Sequence, residues 1–441
     1  MIATFLLASL VVSVVLAGAE PATANFSEVA LQHDFSVGRD AEGVATFTAS
    51  CERCDWSRVG REGVALNVQL DGKYWQTVLV VQAGETTHEI LLGPLRAGKH
   101  TLIVARDATH SAKEVGTVRV GSPAMRFVDG TSADFGWLAA APIVYARPGT
   151  IEGFSDVPLA MYVEALPSRR GYRYTVIFSH EDGGTPTDRL MATWGRSTDI
   201  EFVYEVERMS DGTVRQEYQG PKHEVLAFRG GHTGAHPLLW VSTDNNMVSD
   251  SGPTELRRFA FAPHLIDLTN MSREVFMDAN PWLYAVMTAE LIREGRIDPN
   301  GAAGSGKIPS PLLFGYVEAC GELRDATLAF DIAVNAGGQT TWHSSDRGDA
   351  RFRIARSGCF RAAVPLPTGT QPAHIRDLRV RAYPRPPRQG EAPLAPGTGT
   401  AILTRVNTIF MLNERFTPVP RGKRWAGMLD VRTDGSAVTV P

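Results

Sequence analysis

Apolar residues recur with a period of two in short runs, each closed by glycine, proline or an Asp-Gly pair. That pattern confines the chain to β structure. Val64, Leu66, Val68 and Leu70 alternate with smaller or polar residues, Asp71-Gly72 supplies a hairpin turn, and Tyr74 to Val81 returns as the next strand. A further strand, Glu89 to Leu92, ends at Gly93-Pro94, and Ala97-Gly98 leads into Thr101 to Ala105. Short strands at this spacing predict an immunoglobulin-like sandwich over residues 25–122.

The chain has 441 residues, room for about three domains at roughly 150 residues each. A hydrophobic fraction of 43% excludes disorder throughout, and four cysteines exclude a disulfide-dense miniprotein. A net charge of −4 offers no footprint for a nucleic-acid partner. Residues 138–272 read as a central, less regular β domain. There Ile200, Phe202, Tyr204 and Val206 make one strand face, and Asp199, Glu201, Glu205 and Glu207 the other. Residues 273–307 hold one bridging helix and a glycine-rich linker. Asn280 is placed as its N-cap, Pro281 at the first turn and Gly295 as its stop, with Leu283, Val286, Met287 and Ile292 on one face. Residues 308–441 return to β structure as a second sandwich. Phe352 and Ile354 alternate there with Arg351 and Arg353, and Leu378 and Val380 with Arg379 and Arg381. Pro384 to Pro396 is a proline-rich loop.

Ile2 to Ala19 is uncharged and apolar, and small residues at Ala17, Ala19, Ala22 and Ala24 fit a signal-peptidase site. We therefore expect a signal peptide over residues 1–24, a secreted or periplasmic protein, and no membrane span after cleavage. An oxidising compartment favours paired cysteines. Three connectivities are open; local pairing, Cys51–Cys54 and Cys320–Cys359, keeps each bond within one expected domain.

Imidazoles and acids gather in the middle of the chain. Five of the eleven histidines lie between residues 180 and 264. His180, His223, His232 and His236, with Asp244, are candidate ligands for a divalent ion, Zn²⁺ or Ca²⁺. Glu201 and Glu224 are candidate general bases toward a metal-bound water. Gly234 and Pro237 argue against the helical H-x-x-x-H of metalloproteases. The bland alternative is that each histidine is hydrogen-bonded structure, and that Asp244 to Asp250 is an Asx-rich turn. Glu181, Asp199, Glu201 and Glu224 also supply carboxylates for glycoside hydrolysis, at separations that sequence does not give. No nucleophile elbow or phosphate-binding glycine loop is present. Residues 351–388 carry nine arginines and one acid, Asp377. Arg351, Arg353, Arg379 and Arg381 are candidates to grip a carboxylate or sulfate, unless they form a solvated sheet face.

Ala141-Pro-Ile-Val-Tyr-Ala-Arg-Pro148, Trp194-Gly-Arg-Ser-Thr-Asp-Ile-Glu201, His223 and the run from His236 to Asp244 come in an order that resembles the vacuolar-protein-sorting sixty-two-like family. The resemblance covers residues 140–250. Ile200 stands where that family has tryptophan, and Phe202 where it has histidine. What the resemblance implies is a β fold, with no catalytic activity to carry over. The functional expectation is an exported, surface-associated binding protein, its ligand an extracellular glycan, an envelope component or another small ligand. A divalent-metal-dependent hydrolase is the alternative, and oligomeric state is left open.

Overall fold

The computed structural model describes residues 28–168, 170–181, 183–421 and 424–441. The expected signal peptide, residues 1–24, lies outside them. Over the described residues the chain is mainly β, with short helices, and no helix among them is long and apolar enough to cross a membrane.

The N-terminal alternating runs pair into a sandwich. One sheet is ordered Glu28–Val37, Gly98–Asp107, Val64–Leu70, Lys73–Val80; the other lays Thr86–Leu95, Val118–Val120 and Ala124–Val128 against Ala41–Cys51. Asp71 and Gly72 have φ of 51° and 77°, the doubly left-handed backbone of a two-residue hairpin, and Leu70 pairs with Lys73. Val44, Phe47, Leu66 and Val104 fill one buried cluster between the sheets. The cysteines pair locally, Cys51 with Cys54 and Cys320 with Cys359.

The central sheet runs Val225–Ala227, Val214–Gln219, Asp199–Arg208, Gly171–Phe178, Pro158–Ala165, His264–Ile266. Its pairs are antiparallel except the last, where His264–Ile266 lies parallel to Pro158–Ala165. The expected faces of Asp199–Arg208 are corrected here. Thr175 pairs with Phe202 but Tyr174 with Tyr204, so Val203 is an extra residue, a bulge that exchanges the faces beyond it. Asp199 and Glu201 thereby share the face of Tyr204, while Ile200 and Phe202 share that of Glu205. A smaller sheet sets His236–Val241 beside Ile143–Tyr145, which also pairs with Arg258–Phe259.

The polar stretch after Phe178 ends in a helix that sequence reading missed, Thr187–Trp194, packed on the strand Gly358–Pro365. Gly195 closes it at φ 66°, and a Cβ there would come 2.6 Å from Arg361 Cγ, so glycine is needed twice over. The expected helix forms as Trp282–Arg293, with two corrections. Asn280 does not cap it; its Nδ2 donates back to Phe276 O. Leu291 rather than Ile292 completes the buried face, because nine residues at 100° each put Ile292 opposite Leu283. Gly295 N–H donates to Ile292 O and Arg296 N–H to Leu291 O, a Schellman closure.

The C-terminal sandwich has one sheet ordered Gly358–Pro365, Phe314–Arg324, Thr400–Leu412, Pro418–Pro420 and another ordered Gln339–Ser344, Ala326–Ala336, Ile375–Pro384, Ala437–Thr439. Cys320 and Cys359 face each other across the first. The strand expected at residues 351–354 is instead a 3-10 turn, Ala350–Phe352, that points Phe352 into the core. A further cluster, with Tyr162, Ile177, Met287 and Tyr316, joins the central sheet and the long helix to this sandwich.

Candidate functional site

The expected ligand residues do not form one set, although His232 and His236 share a hairpin. His236 is buried, its Nδ1 2.9 Å from Ala141 O and its Nε2 3.0 Å from Glu42 Oε2. His180 is also buried, its Nε2 3.8 Å from Glu294 Oε2. His223 is exposed, at φ 61°, between the Gln219 and Asn245 side-chain amides at 3.0 Å each. His232 lies edge-on to Phe228 with Nε2 3.2 Å from Gln216 Oε1. Asp244 is exposed, and Glu224 accepts from the Lys222 N–H at 2.6 Å, capping its own turn. Among the described residues no three His, Cys, Asp or Glu side chains gather to hold a metal ion. The expected shared set is not assembled, because each imidazole is engaged by a different neighbour.

What does come together is a carboxyl group that sequence analysis considered only for glycoside hydrolysis. Asp199 is sealed from solvent and accepts from Asn246 Nδ2 at 3.1 Å. Burial, and then the repulsion of Glu201, push its pKa up to about 7. Burial raises Glu201 as well, and burial together with Asp199 raises Glu181. Glu201 accepts from Gln219 Nε2 at 3.0 Å.

The four arginines also stand differently from expectation. Arg379 and Arg381 donate to Asp331, Arg381 and Arg353 to Asp346, and Arg351 to Asp349. Arg379 lies over the Trp342 ring at 4.0 Å and Arg353 over Tyr383 at 3.5 Å. The guanidinium forks are committed inside the chain by acids just upstream of the stretch counted in the sequence.

The site that sequence reasoning missed is a cleft of about 470 Å³ between the N-terminal sandwich and the central sheet. One wall is Gln76 to Leu79 with Gln82 and Thr86 to Ile90; a second is Pro158 to Met161; Phe259, Phe261, Phe276 and Trp282 bring aromatic rings. The sandwich and the segment Arg258–Ala262 are stapled together below it. Ala260 N–H donates to Gln76 Oε1 at 3.0 Å, Gln76 Nε2 to Leu91 O at 2.7 Å, and Leu91 N–H to Ala260 O at 3.0 Å. Phe259 and Phe261 stack at 5.8 Å. His88 stacks on Phe47 and pairs through Nε2 with Thr86 Oγ1 at 2.9 Å. Desolvation pushes its pKa down to about 4, so the ring stays neutral. The arrangement offers apolar ring faces beside amide, hydroxyl and carboxylate groups, and its volume is that of an ordinary small-molecule site. The alternation of Phe259 and Phe261, and Trp282 just after Pro281, were the available signals.

No family model matches the chain, and no curated protein matches it. Among solved structures, 24% of the chain is similar to 72% of the "EclA C-terminal domain; sugar-binding protein", at 17% identity and a TM-score of 0.18. Over 25% of its length it is similar to 87% of a family 35 carbohydrate binding module from an environmental isolate, at 12% identity and a TM-score of 0.15. Over 52% it is similar to 39% of a Paenibacillus sp. cycloisomaltooligosaccharide glucanotransferase, at 11% identity and a TM-score of 0.18. Likenesses this slight carry no weight for fold or ligand.

Proposed function

We propose that this chain is an exported binding protein that takes a glycan in the cleft between its N-terminal sandwich and central sheet. The observation that carries the reading is the cleft's pairing of the part-exposed aromatic rings of Phe261 and Trp282 with the hydrogen-bonding groups of Gln82, Thr87, Glu89 and Asn280. A pyranose ring has an apolar C–H face and a rim of hydroxyls, so it satisfies both kinds of surface at once. The two disulfides support export, since such bonds persist in oxidising compartments. The resemblance of residues 140–250 to the vacuolar-protein-sorting sixty-two-like family brings no activity to this reading.

Affinity electrophoresis and calorimetry against a panel of soluble polysaccharides test it. Retention by at least one glycan, lost about tenfold or more in Trp282→Ala and Phe261→Ala proteins that melt normally, is the expected result. Retention unchanged in both variants would place the ligand elsewhere.

A further inference from the structure

We infer that the cleft accepts uncharged sugars and discriminates against uronic, sulfated and phosphorylated ones. The inference rests on the glycan reading above and narrows its substrate class.

The charge of the lining carries it. Among the described residues that line the cleft there is no lysine and no arginine, and Glu89 is the one carboxylate. Glu89 has its own cation, Arg126, whose Nη2 lies 3.2 Å from Glu89 Oε1. That guanidinium also faces Asp134 and sits on the strand Ala124–Val128, outside the lining. The His88 imidazole offers no positive charge in compensation. His88 is kept neutral by desolvation, and His264 is turned against the Phe276 ring at 5.7 Å.

An anionic ligand entering here exchanges its water for phenyl and aliphatic surface and meets a carboxylate. An unpaired charge moved to such a place is strongly disfavoured. A neutral sugar meets the opposite conditions. Its hydroxyls donate to Glu89, an acceptor-only group when ionised, and its C–H face lies on the aromatic rings. The Gln76 amide, committed to Leu91 and Ala260, is already spent on structure.

The test uses probes that differ in charge and not in backbone. Methyl-esterified homogalacturonan is compared with its saponified form, and dextran with dextran sulfate, by calorimetry on the full chain. The expected result is binding of a neutral member with affinity at least tenfold above that of its anionic partner, at physiological salt. Glu89→Gln narrows that gap, and Thr87→Arg, at an exposed position of the lining, narrows it further by supplying the missing cation. Equal or tighter binding of an anionic member overturns the inference and leaves the glycan reading standing. Binding of neither member of either pair, or of any neutral polysaccharide in the wider panel, overturns both.

Discussion

His236 Nε2 lies 3.0 Å from Glu42 Oε2, both side chains closed off from water, and the contact ties the small central sheet to the N-terminal sandwich across 194 residues of sequence. The other ring nitrogen faces the Ala141 carbonyl, to which it can only donate. A proton is therefore held between imidazole and carboxyl. Truncating either partner strands the other in an apolar site, a loss of ~3 kcal/mol or more. His236→Ala and Glu42→Ala are each expected to lower the urea midpoint by that measure. The double variant Glu42→Leu, His236→Phe recovers much of the loss. A Glu42→Ala, His236→Ala double variant whose loss equals the sum of the two single losses would show that the pair is not coupled.

Asp199 gives stability an unusual dependence on pH. Its pKa is raised from 3.8 to about 7, by burial and then by Glu201. Between those values the folded chain binds more protons than the unfolded one, so stability falls as pH rises. The loss is complete above pH 7 and on the order of a few kcal/mol. Asp199→Asn keeps the shape without the charge, so its stability relative to wild type is expected to rise from pH 5 to pH 8. Urea titrations at the two values check this. A constant difference between the proteins would remove Asp199 as the cause.

Much of this fold is local enough to be read directly. The hairpin at Asp71-Gly72 is one such case, because its two left-handed residues and its flanking alternation are contiguous. The Schellman stop at Gly295 is another. The failures are non-local. The extra residue at Val203 has no sequence mark, yet it reassigns every side chain beyond it. Arg379 and Arg381 looked free because the acids that hold them, Asp331 and Asp346, lie on other segments. The cleft was not assembled from sequence for the same reason: its walls come from four separated stretches, and the aromatic signals at Phe259, Phe261 and Trp282 do not mark a site by themselves. His180, His223, His232 and His236 cluster along the chain without forming one ligand set: His232 and His236 share a hairpin, but among the described residues no three ligand side chains gather.

Arg361 is fully buried where the long helix meets the C-terminal sandwich. It donates to Glu318 at 2.9 Å, to both oxygens of Asp278 at 2.8 and 2.6 Å, and to Tyr284 Oη at 2.6 Å. Arg361→Met leaves the buried Glu318 carboxylate and the less buried Asp278 without their guanidinium. A loss of ~3–5 kcal/mol is expected, the cost of breaking a buried pair from one side. Asp278→Asn, on the less buried partner, should cost less. Equal melting temperatures for the two variants would contradict this ordering.

The two disulfides are expected to differ in what they contribute. Cys51–Cys54 spans 3 residues and Cys320–Cys359 spans 39. Loop-closure entropy gives about 2 kcal/mol for the first and about 4 kcal/mol for the second. Cys320→Ala, Cys359→Ala should therefore lower the denaturation midpoint about twice as far as Cys51→Ala, Cys54→Ala. Urea denaturation of both pairs under non-reducing conditions measures the ratio, and the reverse order would set the entropic account aside.

His88 sets how the cleft behaves on acidification. Desolvation lowers its pKa from 6.5 to about 4. Between those values the unfolded chain binds the extra proton, so stability rises with pH and is lost as pH falls through this window. The sign is opposite to that of Asp199, so the two groups act over overlapping ranges and pull the stability curve in opposite directions. Phe47 stacks on the ring and Thr86 holds Nε2, a setting that resists protonation because it has little water and no anion in direct contact. Two consequences are measurable. The His88 imidazole resonances should not titrate above about pH 5, whereas an exposed imidazole changes near 6.5. A neutral ligand's affinity should stay level from pH 6 to 8, where His88 does not change charge. A titration of His88 near pH 6.5 would show that the cleft is wetter than its lining implies, and that the ring is available to pair with an anion in mildly acidic solution.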